Sequence, residues 1–291
     1  MPLPVCLGVD AGGSSTKWVL MQGQTVLARG QAPALTAALV HTPAGKAALR
    51  AQRSSLPVTA QRAHFGLPGL SAGTPQAGQL RQELAASLGL GPEAVGLESD
   101  LDLAYSAHFA PGEGILVYAG TGSMAYHLPV SGEPVRAGGR GYRIGDEGGG
   151  ASIGRAALHW VTDFLDRGEE PHGPLAAEVA KLTGGLDWPT LRAFVYGTPG
   201  ARSLALVAPA VTCAAQLGDP QALQLLREAA CALVRLTKNV QLQTGPLPAK
   251  ATGGALQSAP LQQALQQQLP TIQIAFADHA WTAAGKAART T

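Results

Sequence analysis

Around residues 9–17 the chain reads Val-Asp-Ala-Gly-Gly-Ser-Ser-Thr-Lys, an apolar strand that ends in an acid followed by two glycines and three consecutive hydroxyl residues. These residue types suit oxyanions. Gly12 and Gly13 allow backbone N–H groups close to phosphate oxygens, Ser14, Ser15 and Thr16 add hydroxyl donors, and Asp10 at the strand end is placed to hold a hydrated metal ion. Strand character resumes at once over 18–21, and again over 25–29 after the Gln22-Gly23-Gln24 turn. The loop therefore closes a hairpin. It is not a Walker loop, which needs Gly-x4-Gly-Lys-Ser/Thr opening a helix. Four further segments follow in order: Ser99-Asp100 at a strand end, Gly120-Thr121-Gly122-Ser123 in a second hairpin, Gly145-Asp146-Glu147-Gly148, and Thr252-Gly253-Gly254. Any one glycine turn says little by itself, and the ordered series carries the meaning.

These segments need a scaffold. After the opening meander, 36–53 is Ala/Leu-rich and reads as a helix, 63–67 as a strand stopped by Pro68-Gly69, 75–88 as a helix, 95–98 as a strand and 102–110 as a helix. That order argues for a mixed sheet with helices packed on it. It then restarts, with a strand over 114–118, the second glycine and hydroxyl turn, and a returning strand over 124–128. Pro111-Gly112-Glu113-Gly114 marks the boundary, giving domains 1–111 and 112–275 with a closing helix in 276–291 that is free to return to the first domain. Within the second domain, helices are expected over 154–165, 174–182, 191–196, 204–217 and 220–243. A strand into Thr252, a helix over 259–269 and a strand over 272–277 follow, before the closing helix over 279–289. The fold class is α/β.

A chain of 291 residues can bury roughly three quarters of its unfolded surface. With 46% hydrophobic and 14% charged residues, 37 Gly and 21 Pro, it is globular and turn-rich, not disordered. The net charge of +2 and the absence of any Lys/Arg cluster argue against a nucleic-acid partner. Cys6, Cys213 and Cys231 show no C-x-x-C spacing, so neither a disulfide framework nor a zinc or iron–sulfur site is indicated. The stretch 3–9 is short, lacks a basic leader and reads as a core strand, and no stretch approaches the ~18 apolar residues of a membrane span. The expectation is a cytoplasmic protein with no membrane partner.

The series resembles the sugar kinase, Hsp70 and actin superfamily, and within it the N-acetylglucosamine kinase and BadF/BadG/BcrA/BcrD ATPase branch. The most specific match is Gly138-Gly139-Arg140-Gly141-Tyr142-Arg143-Ile144-Gly145-Asp146-Glu147-Gly148, and the likeness runs from Leu7 to about Gly254. The resemblance implies two ribonuclease-H-like (actin-like ATPase) domains, each a mixed five-stranded sheet flanked by helices, closing over a cleft, with ATP on the second domain and a sugar between the two. Asp10 would organise Mg²⁺, while Gly12, Gly13, Ser14, Ser15 and Thr16 together with Gly120, Thr121, Gly122 and Ser123 would hold the β and γ phosphates. Gly253 and Gly254 would pass beneath the adenosine. Asp100 matches the general base that takes the proton of the sugar 6-hydroxyl, with Asp102, read as a first-turn acid of a helix, as its competitor. Asp146 and Gly139 match sugar contacts. Members of the family are often dimers, so the resemblance leaves room for a homodimer, and no residue here marks an interface.

Departures cluster on the sugar side. Where relatives carry an Asn after the third strand, this chain has Pro33-Ala34-Leu35-Thr36, leaving Thr36 as the replacement; Arg140 stands for the usual Trp, and Pro68 lies where Ser or Ala is common. The implied function is an ATP-dependent kinase acting on the 6-hydroxyl of an amino sugar, N-acetylglucosamine first, with glucosamine or another hexosamine as the near variant. An ATPase activator of a dehydratase or reductase shares the phosphate motifs but uses a cysteine-held iron–sulfur cluster, for which the three cysteines offer no ligand set. A non-catalytic sugar sensor has no need of Asp10 and Asp100, and both are present. Lys17 reads as a strand lysine with a solvated head, and His64, His108 and His127 as structural or surface residues.

Overall fold

The computed structural model describes every residue except Met1, Ser14, Ser71, Ala72, Pro199 and Thr291. Strand β1 (Val5–Asp10) buries Cys6, Leu7 and Val9, and pairs antiparallel with β2 (Ser15–Gln22) so that Asp10 faces Lys17. The first glycine loop therefore closes a hairpin, and β3 (Thr25–Pro33) completes the meander. Helix α1 (Pro43–Ser54), strand β4 (Arg62–Leu67), helix α2 (Pro75–Leu88), strand β5 (Val95–Ser99) and helix α3 (Asp100–Ser106) follow. The sheet runs β3-β2-β1-β4-β5, with β4 parallel to β1 and β5 parallel to β4.

The boundaries of α1 and α3 differ from the sequence reading, each because of a cap. α1 starts at Pro43 and not near Thr36: the Thr42 hydroxyl accepts from Gly45 N at 3.1 Å and Pro43 supplies a helical φ in the first turn. The Ala/Leu run before it is wound into turns. At α3, the Ser99 hydroxyl accepts from Asp102 N at 3.0 Å, so Asp100 opens the helix instead of ending the strand, and the helix stops at Ser106.

The pattern then repeats. Strands β6 (Ile115–Ala119), β7 (Ser123–His127) and β8 (Val135–Gly138) form a second antiparallel meander. Helices α4 (Gly150–Asp166), α5 (Gly173–Thr183), α6 (Trp188–Tyr196), α7 (Arg202–Gln216) and α8 (Pro220–Thr244) precede β9 (Ala249–Thr252), α9 (Ala259–Gln268), β10 (Gln273–Ile274) and α10 (His279–Ala287). This sheet runs β10-β9-β6-β7-β8, with β9 parallel to β6 and β10 parallel to β9. The expectation of two mixed five-stranded sheets with flanking helices holds. β8 escaped the sequence reading because its four residues include Arg136 and Gly138, a composition poor in strand formers.

The chain divides into two compact units: residues up to Phe109 with those from Ala277 onward, and Ala110–Phe276. In the first, Leu7, Val9, Leu20, Phe65, Leu67, Leu80 and Leu84 form the core. α10 lies against β1 so closely that a side chain at Gly8 would overlap the backbone of Ala280 and Ala284. The last turn of α10 is held by charge. Lys286 Nζ lies 2.7 and 2.6 Å from the two Glu98 oxygens and 2.8 Å from Ser106 Oγ, and His64 Nε2 lies 2.7 Å from Glu98 Oε1. Burial alone would raise the Glu98 carboxyl, but the His64 hydrogen bond and the Lys286 charge hold it below the ordinary glutamate value. The second unit has an aliphatic core around Ile115, Val117, Val161, Leu175, Val207, Val211, Leu226 and Leu233. Among the described residues no helix is long and apolar enough to cross a membrane.

Candidate functional site

In the first unit the candidate residues gather at one end of the sheet. Ala11 N donates to Gly66 O at 3.0 Å, pinning the start of the glycine loop to β4, and Leu35 N donates to Gly12 O at 3.2 Å, bringing the segment that holds Thr36 against the loop. The Thr36 carbonyl itself accepts from Leu39 N at 2.9 Å and Val40 N at 3.2 Å. A Cβ on Gly12 would stand 2.7 Å from the Ser15 carbonyl, so the tight turn needs glycine there, while Gly13 faces open space. Ser15 is exposed at the start of β2, whereas Thr16 is buried and its hydroxyl has no hydrogen-bond partner among the described residues. A buried, unpaired hydroxyl beside a glycine turn is the kind of exception that a bound oxyanion explains. Ser14 lies outside the described residues. Lys17 is exposed.

Asp10 ends β1 and Asp100 opens α3, and the two carboxylates are close enough to feel each other. Burial pushes the Asp100 carboxyl above the ordinary aspartate value; the Leu101 N–H opposes this, and the charges of Asp10 and then Asp102 add to the rise. Two carboxylates beside a glycine loop and a spare hydroxyl fit a hydrated Mg²⁺, which takes one or two protein carboxylates and completes its shell with water and phosphate oxygens. His279 belongs to the same cluster: its Nδ1 lies 3.5 Å from Asp10 Oδ2.

In the second unit backbone makes up most of the site. Gly120 N donates to Gly122 O at 2.9 Å, closing the β6–β7 turn, and the Gly120 and Thr121 carbonyls accept from Gly150 N at 2.7 Å and Ala151 N at 2.9 Å. The turn's carbonyls are thus spent on the first amides of α4. Ser123 is buried and its hydroxyl is committed to the Glu147 carbonyl at 2.6 Å, so it ties the turn to the Asp146 loop. Asp146 is held at φ +67°, uncommon for a residue with a side chain. Its Oδ1 accepts from Gly141 N at 3.1 Å, and its carboxylate occupies the space where Gly122 would carry a Cβ. Gly139 N donates to Ser123 O at 2.8 Å, leaving that residue's carbonyl as its remaining backbone contact. Gly253 adopts φ +113° against the Ala119 carbonyl, where no side chain fits, and Gly254 faces open space.

Two contributors went unnoticed in the sequence. Arg155, on α4, donates from Nη1 to the Tyr142 carbonyl at 2.8 Å and so holds the loop that carries Asp146. Its position within an Ala-rich helix gives no local signal. His279 is separated from Asp10 by most of the chain, and only the return of α10 to β1 brings them together. His64 and His127 have structural partners, Glu98 and the Gly114 carbonyl. A groove of about 680 Å³ between α4 and α8, bordered by Glu147, Arg155, Trp160, Leu225, Cys231 and Arg235, shares Glu147 with the loop but not Asp146.

Residues 7–275 match the BadF/BadG/BcrA/BcrD ATPase family. A 73-residue stretch is 40% identical to the N-acetylmuramic acid/N-acetylglucosamine kinase of Clostridium acetobutylicum, and the match spans 25% of this chain and 24% of that one. Among solved structures, a candidate N-acetylglucosamine kinase from Chromobacterium violaceum superposes with a TM-score of 0.76 at 29% identity, covering 98% of this chain and 99% of that one. A ROK family glucokinase from Streptomyces griseus, solved with glucose and AMPPNP, shares the fold with a TM-score of 0.60 at 16% identity over 98% of each chain.

Proposed function

Since the chain belongs to the BadF/BadG/BcrA/BcrD ATPase family, we propose that it is an ATP-dependent sugar kinase transferring the γ-phosphoryl group to the 6-hydroxyl of an amino sugar, with N-acetylglucosamine as the first candidate. The observation that carries the reading is the half-buried Asp100 beside Asp10 at the end of the first sheet, next to a glycine loop whose buried Thr16 hydroxyl has no partner among the described residues. The likeness to the Clostridium acetobutylicum and Chromobacterium violaceum proteins supports the acceptor.

In this reading Asp100 accepts the proton of the sugar hydroxyl as its oxygen bonds to the γ-phosphorus, while the bond from phosphorus to the bridging oxygen breaks and ADP leaves. A carboxylate raised above its ordinary value is a stronger base than a free aspartate. Transfer of this kind depends mainly on positioning and charge neutralisation. Gly12, Gly13, Ser15 and Thr16 donate to phosphate oxygens, as does the 120–123 turn, in which the Gly120 amide is spent on the Gly122 carbonyl and the Gly120 and Thr121 carbonyls are turned into α4. Ser14 belongs with them by sequence. Gly253 and Gly254 leave room beside the nucleoside. Asp10 holds a hydrated Mg²⁺, which when bound neutralises phosphate charge. Thr36, the Gly139 carbonyl and the free lone pairs of Asp146 contact the sugar; a carboxylate can accept several hydrogen bonds, so the Gly141 bond does not exhaust it.

An ADP-release assay with Mg·ATP and N-acetylglucosamine, glucosamine, N-acetylmannosamine, N-acetylmuramic acid and glucose tests the proposal. Release that depends on an amino sugar is expected, and equal release with every sugar or none contradicts it.

A further inference from the structure

α10 is fastened at both ends. Asp278 Oδ1 accepts from Trp281 N at 3.0 Å to cap the helix, and the other oxygen pairs with Arg29 at 3.5 Å. In the last turn, Lys286 is locked into the Glu98 and Ser106 cluster. Between these ends, Ala280 in the first turn and Ala284 lie against Gly8 of β1, two residues before Asp10. A helix held in this way delivers its first residue, His279, to a fixed place, 3.5 Å from Asp10 Oδ2 and edge-on to the His108 ring at 6.2 Å between centroids. The His279 side chain is largely buried, and its Nε2 has no hydrogen-bond partner among the described residues. A neutral imidazole is a donor at one nitrogen and an acceptor at the other, so a contact with a carboxylate oxygen places the proton on Nδ1.

We propose that His279 is a positioning residue for Asp10: its Nδ1–H holds one carboxylate oxygen and leaves the other for the hydrated divalent cation. This rests on the reading of Asp10 given above. Oriented carboxylates are a general feature of metal sites, and loss of such an outer partner costs about 10–100-fold in metal affinity. The imidazole does not touch the transferred group in this assignment; it acts through Asp10.

Mn²⁺ is the probe, titrated into the full chain with saturating ADP while free Mn²⁺ is read by electron paramagnetic resonance. Asp10→Asn is expected to weaken Mn²⁺ binding at least about tenfold, and His279→Ala by about tenfold. His279→Asn keeps a donor near the Nδ1 position and is expected to restore binding to within about threefold of the parent, whereas His279→Gln, which places its amide nearer Nε2, is not. Thermal midpoints of the three His279 variants should agree. If Asp10→Asn binds Mn²⁺ as the parent does, the role of Asp10 is wrong and the inference goes with it. If Asp10→Asn weakens binding and His279→Ala does not, only the inference falls. Equal loss in all three His279 variants with lowered midpoints would assign His279 a purely structural role and overturn the proposal.

Discussion

The two units share one sheet topology, a three-strand meander followed by two parallel strands, and put different chemistry on it. In the first, the loop after β1 is surrounded by ionisable side chains, Asp10, Asp100 and His279, and by the Thr16 hydroxyl, which has no partner among the described residues. In the second, the corresponding loop after β6 is tied down by hydrogen bonds, with the Gly120 and Thr121 carbonyls bonded to α4 and its one serine bonded to Glu147, and the Asp146 carboxylate packs against Gly122. The same contrast appears behind the sheets. A half-buried Glu98, Lys286 and His64 cluster anchors α10 in the first unit, whereas in the second a buried Asp219 accepts from the Leu175 and Ala222 amides with no cation paired to it among the described residues. A duplicated scaffold thus carries charged and polar side chains around one loop and a turn tied down by its own backbone at the other.

The largest effect that sharpens this contrast is at Asp100. Asp100→Asn is expected to lower kcat by about 10²–10⁴ while leaving ATP affinity within about threefold. It should also stabilise the fold at neutral pH. An acid whose folded-state pKa is raised holds its proton more tightly when folded, so its contribution favours folding at low pH and is lost as pH rises through the raised value; Asn removes that loss. A thermal midpoint above the parent's at pH 7, with the gain shrinking below the ordinary aspartate range, checks the sign. Unchanged turnover would remove Asp100 from the mechanism.

Gly122→Ala probes the other unit. The new methyl needs the space that the Asp146 carboxylate fills, so the turn and the Asp146 loop must separate, costing about 1–3 kcal/mol of stability. Nucleotide affinity should fall at least about tenfold, measured by calorimetry with ADP, while Asp100 keeps its raised pKa. A variant that binds ADP normally would deny the turn its part in the phosphate site.

Lys286→Ala leaves the Glu98 carboxylate largely buried and paired with His64 alone, an expected loss of about 2 kcal/mol in denaturant unfolding. Because the folded-state pKa of Glu98 is lowered, its contribution is present above the ordinary glutamate value and fades as pH falls through the depressed one, so parent and variant should converge in acid. The smallest effect is at Asp146. Asn tolerates a left-handed backbone, so Asp146→Asn should keep stability within about 0.5 kcal/mol and raise KM for the sugar more than for ATP.

Much of this arrangement was legible in the chain. Alternating apolar residues on both sides of Gly12-Gly13 and of Gly120–Ser123 marked two hairpins, and strand ends at Asp10 and Thr252 followed from where the apolar runs stop. What the sequence hid was set by tertiary contacts or by a competing cap. Asp100 looked like the last strand residue because Ser99 was not read as a helix cap. The 36–42 stretch looked helical because Ala and Leu outweighed the Thr42-Pro43 start signal, and β8 pairs through its backbone with little help from its side chains. His279 carried no local signal at all, since its place beside Asp10 depends on the close approach of α10 to Gly8.

Identifying the product separates phosphoryl transfer to a sugar from plain ATP hydrolysis. After incubation with Mg·ATP and N-acetylglucosamine, mass spectrometry and phosphorus NMR of the sugar fraction should show one added phosphoryl group on the 6-oxygen with the parent chain and none with Asp100→Asn. ADP and inorganic phosphate formed without any phosphorylated sugar, at the same rate in both chains, would contradict it.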